Sequence, residues 1–325
     1  MTTHPSYKIP WIAYACLFAS GAASLGYELI WFRHLALVFG ASLYALSAVL
    51  CAFMMGLAAG AWVMGRVLAR VEIAPDKLIR GYGLLEGLIG LYALCFPFGL
   101  DLLEKLYPLI LPESGQVDFG VHMLEFFLST LLMFPATLLM GATLPLVGCW
   151  ATNNQTQQVF TQVSRLYGVN TFGAVFGCLF TQFFAIRLLG VQGSTWFAVG
   201  LNAVVFMLCY GRPRIFAAVD SSSIQIEAKP VKRKQDTMVS PAIVVLVFAM
   251  FAYSGMASLS SQILWTRILV FPLGSTLYSF ALILSTFLLG IAIGSLTANK
   301  LLGRSHHVLK FVGIEIAIGV FCIAI

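Results

Sequence analysis

Charge is what this sequence has least of. Only 10% of its 325 residues are Asp, Glu, Lys or Arg, against about 25% in soluble domains, whose surfaces must be wetted. With 19 basic and 13 acidic side chains, there is too little charge to cover a soluble particle of this size. That excludes a free water-soluble enzyme or binding module. It also removes nucleic acid as a partner, because the net charge of +6 would have to gather on a solvated basic face. The seven cysteines (16, 51, 95, 149, 178, 209 and 322) contain no CxxC pair and lie almost wholly in apolar stretches. They read as small hydrophobes, neither disulfides nor metal ligands. There is no GxGxxG loop after a strand, no P-loop, no HExxH and no GxSxG in a suitable context, so no soluble-enzyme constellation is present. His306-His307 lacks the further ligands a metal site needs, so no metal is expected. The segment 1–8 is polar with no small-residue cleavage site behind it, which argues against a cleaved signal peptide.

What the chain does have is apolar length. Hydrophobic residues make up 60% of it, with a mean hydropathy of +0.92. They fall in runs of roughly 20 residues, each long enough to cross a hydrocarbon core of about 30 Å. Nine such runs lie near 11–32, 41–64, 80–100, 122–149, 168–189, 192–211, 240–264, 275–298 and 308–325. The expected fold is therefore all-α, a polytopic transmembrane helix bundle with the lipid bilayer as its first partner. Only 212–239 interrupts the pattern. It contains Ser221-Ser222-Ser223 and Lys232-Arg233-Lys234 and reads as a polar linker between membrane segments 1–211 and 240–325.

Basic residues set the expected orientation, since cytoplasmic loops hold the excess of Lys and Arg. With the N-terminus inside, 15 of the 19 fall on the cytoplasmic side and four outside. The linker is then cytoplasmic as well.

Residues 20–70 align without a gap to 254–304, at a constant offset of 234, with 18 identities in 51 positions. Trp31/Trp265, Arg33/Arg267, Gly40/Gly274, Gly56/Gly290 and Gly60/Gly294 are among the identical pairs. The match resumes one span later, pairing Glu86 with Glu315 and Gly90 with Gly319. Self-similarity of this length means a duplicated unit. An even number of spans separates the two starts, so the copies enter the membrane in the same direction, on the major facilitator-like plan of parallel six-helix halves. The second copy has no counterpart of spans four to six. The sequence closes at 321–325 inside a span, so a truncated chain is expected.

Acids within spans are functional hypotheses by default, because a charge at the bilayer centre costs from about 3 to more than 10 kcal/mol. Glu28 has Gln262 as its repeat partner, a residue of the same shape that cannot ionise. Two readings stand: a proton-exchanging or substrate-pathway acid, or a protonated glutamate bonding a neighbouring helix as Gln262 would. Glu86 and Glu315 read as architectural, accepting from Arg or Trp where the repeats meet; the alternative places them, with Glu28, Arg33, Gln262 and Arg267, on a substrate or proton pathway. Glu125 and His122, at i and i+3, read as a solvated pair at the outer end of the fourth span. Arg33 and Arg267 follow their tryptophans by two residues, which suits snorkelling beside an interfacial Trp. The alternative is an anion contact or an ion pair with Glu28. Gly56-x-x-x-Gly60, Gly290-x-x-x-Gly294 and Gly173-x-x-x-Gly177 let helix backbones approach closely. Asn170, Gln182 and Asn202 read as glue between helices.

The segment 20–70, together with MGATLPLVG at 140–148 and LYGVNTFGAVFG at 166–177, resembles the spermidine synthase-like integral membrane proteins of bacteria, also described as fused major facilitator/spermidine synthase proteins. The resemblance extends over essentially the whole chain. It implies an inner-membrane domain followed by a cytosolic Rossmann-like aminopropyltransferase domain. That domain would move the aminopropyl group of decarboxylated S-adenosylmethionine to putrescine. It further implies a polyamine as a possible small cationic substrate of the membrane part. The glycine-rich cofactor loop and the catalytic aspartates of that family are not in these residues, so no catalytic residue carries over. The loop 65–70 also lacks the aspartate usual in the facilitator signature.

Overall fold

A computed structural model describes residues 9–40, 43–110, 119–152, 159–216, 241–301 and 307–324. Among them every regular element is helical: α1 (Trp11–Phe39), α2 (Leu43–Arg70), α3 (Pro75–Ile110), α4 (Phe119–Thr152), α5 (Val159–Phe180), α6 (Ile186–Gly211), α7 (Pro241–Leu273), α8 (Thr276–Leu301) and α9 (His307–Ala324). A π-turn, Thr181–Ala185, joins α5 to α6, and a 3-10 turn, Pro213–Phe216, follows α6. Seven stretches are long and apolar enough to cross a membrane. One of them, Thr161–Gly211, has 51 residues, about 76 Å of helix at 1.5 Å per residue. That is too long for one crossing. It breaks at Gly190, whose φ of 71° is left-handed, at the gap expected between the fifth and sixth runs. The contacts of Gly26 show the reversal. A Cβ there would sit 3.1 Å from Thr181 and 4.0 Å from Ala198, residues nearly equidistant in sequence from Gly190. The chain is therefore a helical bundle compatible with a multi-pass membrane protein.

Several helices run past the apolar limits read from sequence. α1 continues to Phe39 and α3 spans 36 residues, 75–110, instead of 80–100. Hydropathy registers only the segment in hydrocarbon, while backbone hydrogen bonding carries the helix on through amphipathic ends. Pro97 and Pro108 lie inside α3, and Pro135 and Pro145 inside α4. Most of the linker expected at 212–239 lies outside the described residues. Its first part does not: Phe216 is buried and meets Trp150 edge-on, with centroids 6.2 Å apart.

Direction follows from which residues meet. α1 and α5 run parallel, with Phe18 against Gly173 and Ala22 against Gly177. α2 and α4 are also parallel, with Gly56 on Thr137 and Gly60 on Leu138 and Ala142. α3 and α6 are antiparallel, since Gly83, Gly87 and Gly90 meet Cys209, Phe206 and Asn202 in turn. α5 and α8 are antiparallel too, through Gly168 with Leu296, Cys178 with Ala281, and Phe183 with Tyr278. These pairings agree with an alternation of direction from one helix to the next. Gly40 and Gly274, one repeat apart, end α1 and α7 with φ of 86° and 65°, a conformation that favours glycine at a helix end.

The core is aromatic and central to α1. Tyr27 stacks on Trp31 at 5.3 Å, and Trp31 on Phe96 at 4.6 Å. In the most apolar window of α1, 72% is buried, against 6% in α7. A side chain at Gly177 would collide with the Ala22 backbone, whereas one at Gly290 would meet nothing within 4 Å. Gly177→Val is expected to lower the thermal unfolding midpoint in detergent, at a cost near the upper end of about 1–3 kcal/mol. Gly290→Val should change it by no more than about 0.5 kcal/mol. Equal effects in scanning fluorimetry would show that close α1–α5 packing is not what holds the bundle.

Candidate functional site

Two carboxylates on neighbouring helices lie in the interior with opposite surroundings. Glu86, on α3, is fully buried and doubly satisfied. Ser20 of α1 donates its hydroxyl to Oε1 at 2.5 Å, and Asn202 of α6 donates its amide to Oε2 at 2.7 Å. The Tyr27 hydroxyl in turn donates to Asn202 Oδ1 at 3.0 Å. Three helices are thereby tied through one acid. Its donors are neutral side chains and not the Arg or Trp expected. Asn202 acts as the glue read for it.

Glu28 is the opposite case. It is 1% exposed on α1, and neither carboxylate oxygen has a hydrogen-bond partner among the described residues. Its neighbours are the Cys178 thiol of α5, which also lies beside Ser285 of α8. The Cys178 thiol points toward the carbonyl of Ala281 at 3.5 Å. The glutamate therefore sits where the first sequence copy, through α1 and α5, meets the second, through α8. Gln262 occupies the equivalent position on α7. It is buried as well, and its Nε2 has no partner among the described residues. Leu259 and Ile263, flanking Gln262, pack against the core cluster that contains Leu29, Phe32, Cys178 and Phe280. Among the described residues no neighbouring helix donates to Glu28, as the helix-bonding reading would require.

The remaining positions separate cleanly. Arg33 is half-buried, Arg267 is exposed, and neither pairs with Glu28. The interfacial-Trp explanation fails for Trp31, which is 1% exposed in the aromatic stack. Glu125 and His122 are not a solvated pair. Glu125 is buried, accepts from the Tyr107 hydroxyl at 3.0 Å and faces His122 Nδ1 at 3.1 Å, while Tyr44 stacks on the His122 ring at 4.3 Å. Tyr44 of α2 and Tyr107 of α3 flank that pair, with the His122 ring still partly exposed. Glu315 on α9 accepts from Ser254 of α7 at 2.7 Å, the counterpart of the Ser20–Glu86 bond. Gly56, Gly60, Gly173 and Gly177 are in close backbone contact across helix pairs, while Gly290 and Gly294 meet nothing within 4 Å. Their expected packing role is therefore realised only in the first copy. Gln182 is buried within the π-turn.

Sequence reading missed Cys178 as the neighbour of Glu28, and Ser285 as the neighbour of Cys178. Cys178 reads as a plain hydrophobe, and Ser285 aligns with no polar residue in the first copy. Among the described residues no group of three His, Cys, Asp or Glu is placed to hold a metal. Comparison with family models, curated proteins and solved structures finds no match to this chain.

The Glu86 network makes its own forecast. Asn202→Ala removes one donor from the buried Glu86 and the acceptor of Tyr27, and is expected to cost about 1–3 kcal/mol. Gln192→Ala, at an exposed site, should be near neutral. Matching thermal midpoints for the two variants would remove the network as a structural tie.

Proposed function

We propose that the chain is the membrane-embedded part of a spermidine synthase-like protein on the major facilitator plan, and that it moves a small organic cation such as a polyamine. The observation that carries the transport reading is Glu28, a buried carboxylate that no described residue satisfies, at the place where the two sequence copies meet. A bundle that only anchors or scaffolds gains nothing from such a group, whose charge would cost from about 3 to more than 10 kcal/mol.

Recurrence of local structure supports the two-copy plan. The Ser20–Glu86 bond between α1 and α3 has its counterpart in Ser254–Glu315 between α7 and α9. Phe251 stacks on Phe311 at 5.1 Å, one turn from that second bond. Two parallel units that touch along α5 and α8 can rock about that seam, opening the Glu28 junction alternately to each side. The resemblance supplies the rest of the reading. A cytosolic aminopropyltransferase domain would use decarboxylated S-adenosylmethionine, and the membrane part would anchor it in the bacterial inner membrane and pass its substrate or product. The N-terminus and the 212–239 linker are cytoplasmic on this reading.

The test is uptake of labelled spermidine into sealed vesicles containing the purified chain. Protein-dependent uptake several-fold above empty vesicles is expected. Uptake no greater than in empty vesicles, in both gradient directions, would contradict transport and favour a scaffold.

A further inference from the structure

We infer that the Glu28 junction is a one-charge site, at which a single ammonium group of the solute exchanges for one proton. The assignment rests on the transport reading above and adds ligand chemistry and stoichiometry to it. A bare carboxylate is not tolerated in a low-dielectric interior, so a proton or a cation must neutralise it. No fixed cation does so. The ion pairs among the described residues are Lys105–Asp101 and His122–Glu125, and Arg33 makes no bond to Glu28. The other polar groups at the junction, Cys178 and Ser285, are small and neutral.

These surroundings suit an ammonium group. It carries three donors and no acceptor, and the two unpartnered Glu28 oxygens offer acceptors for it. Gln262, the repeat counterpart, has the same shape without charge, so the pair of positions carries one negative charge and not two. A divalent metal would ask for more anionic or imidazole ligands than stand here. The apolar cluster to which Cys178 belongs, which also holds Leu29, Phe32, Phe280, Ala281 and Leu284, suits the methylene chain that follows an amine. Glu86 cannot serve in the same way, since both of its oxygens already accept from fixed neutral donors.

The ammonium ion enters with its three N–H bonds intact, the Glu28 O–H bond breaks, and the proton leaves to water. The site goes from a neutral acid to a carboxylate–ammonium pair, and one positive charge has been traded for another.

Titration calorimetry on the full chain in lipid nanodiscs tests this, run in two buffers of different protonation enthalpy. The probes are putrescine, n-butylamine and 1,4-butanediol. Both amines are expected to bind with release of about one proton each, and the diol not to bind. Glu28→Gln should weaken amine binding at least tenfold and abolish the proton release. Its thermal midpoint should hold, as a glutamine is already accommodated at 262. Glu28→Asp, which keeps the acid, should retain the release and serves as the readout if the glutamine variant fails to fold. Binding of the diol as tight as the amines, release of two protons per amine, no amine binding, or release that survives in Glu28→Gln would each overturn the proposal. Proton-linked amine binding without vesicle uptake would sink the transport reading and leave the site standing. Uptake that survives Glu28→Gln would do the reverse.

Discussion

Backbone-to-backbone contact between helices is the interaction on which the rest of this structure depends. Lipid is as apolar as a leucine side chain, so burial against a neighbouring helix gains little from water exclusion, and packing must supply the attraction. The first six helices meet this demand with glycine. Gly173 and Gly177 bring α5 onto the α1 backbone, and Gly56, Gly60 and Gly141 bring α2 and α4 together. Because Gly173 and Gly177 seat α1 on α5, what α1 carries is held in place, including the Tyr27–Trp31–Phe96 stack and its polar stations at Ser20 and Glu28.

The same close packing explains why two glutamates a few turns apart behave differently. Inside a bilayer a polar group has no water to fall back on, so its protein neighbours decide what it can do. Glu86 has a hydroxyl and an amide directed at its two oxygens and is locked into the architecture. Glu28 faces a thiol and small side chains and keeps its bonding capacity. A carboxylate held rigidly, shielded from water and left without donors can distinguish a neutral state from a paired one. That is the property a coupling site requires. Its place between the copies means that any relative movement of α5 and α8 changes its surroundings.

The helical class, the reversal near Gly190 and the matched glycines at 40 and 274 were legible in the residues alone. Apolar length and local identity report them directly. The donors to Glu86 were not, because Ser20 and Asn202 lie 66 and 116 residues away and only packing brings them to one acid. Hydropathy was also misleading about depth and face. It placed Trp31 near headgroups and Glu125 near water, yet Phe96 and Tyr107, both from α3, cover them. The second copy shows the converse. Gly290 and Gly294 repeat the spacing of Gly56 and Gly60, but such a motif packs only where a partner helix meets it, and none does so there among the described residues.

The account stands or falls on the protonation of Glu28 when an amine arrives. Infrared difference spectroscopy of the chain in lipid, with and without putrescine, reads this directly through the carbonyl stretch of a protonated carboxyl group. The account predicts that putrescine removes such a band in the wild-type chain, and that the difference is absent in Glu28→Gln. A spectrum unchanged by putrescine, or a band change that persists without the Glu28 carboxyl, would contradict it.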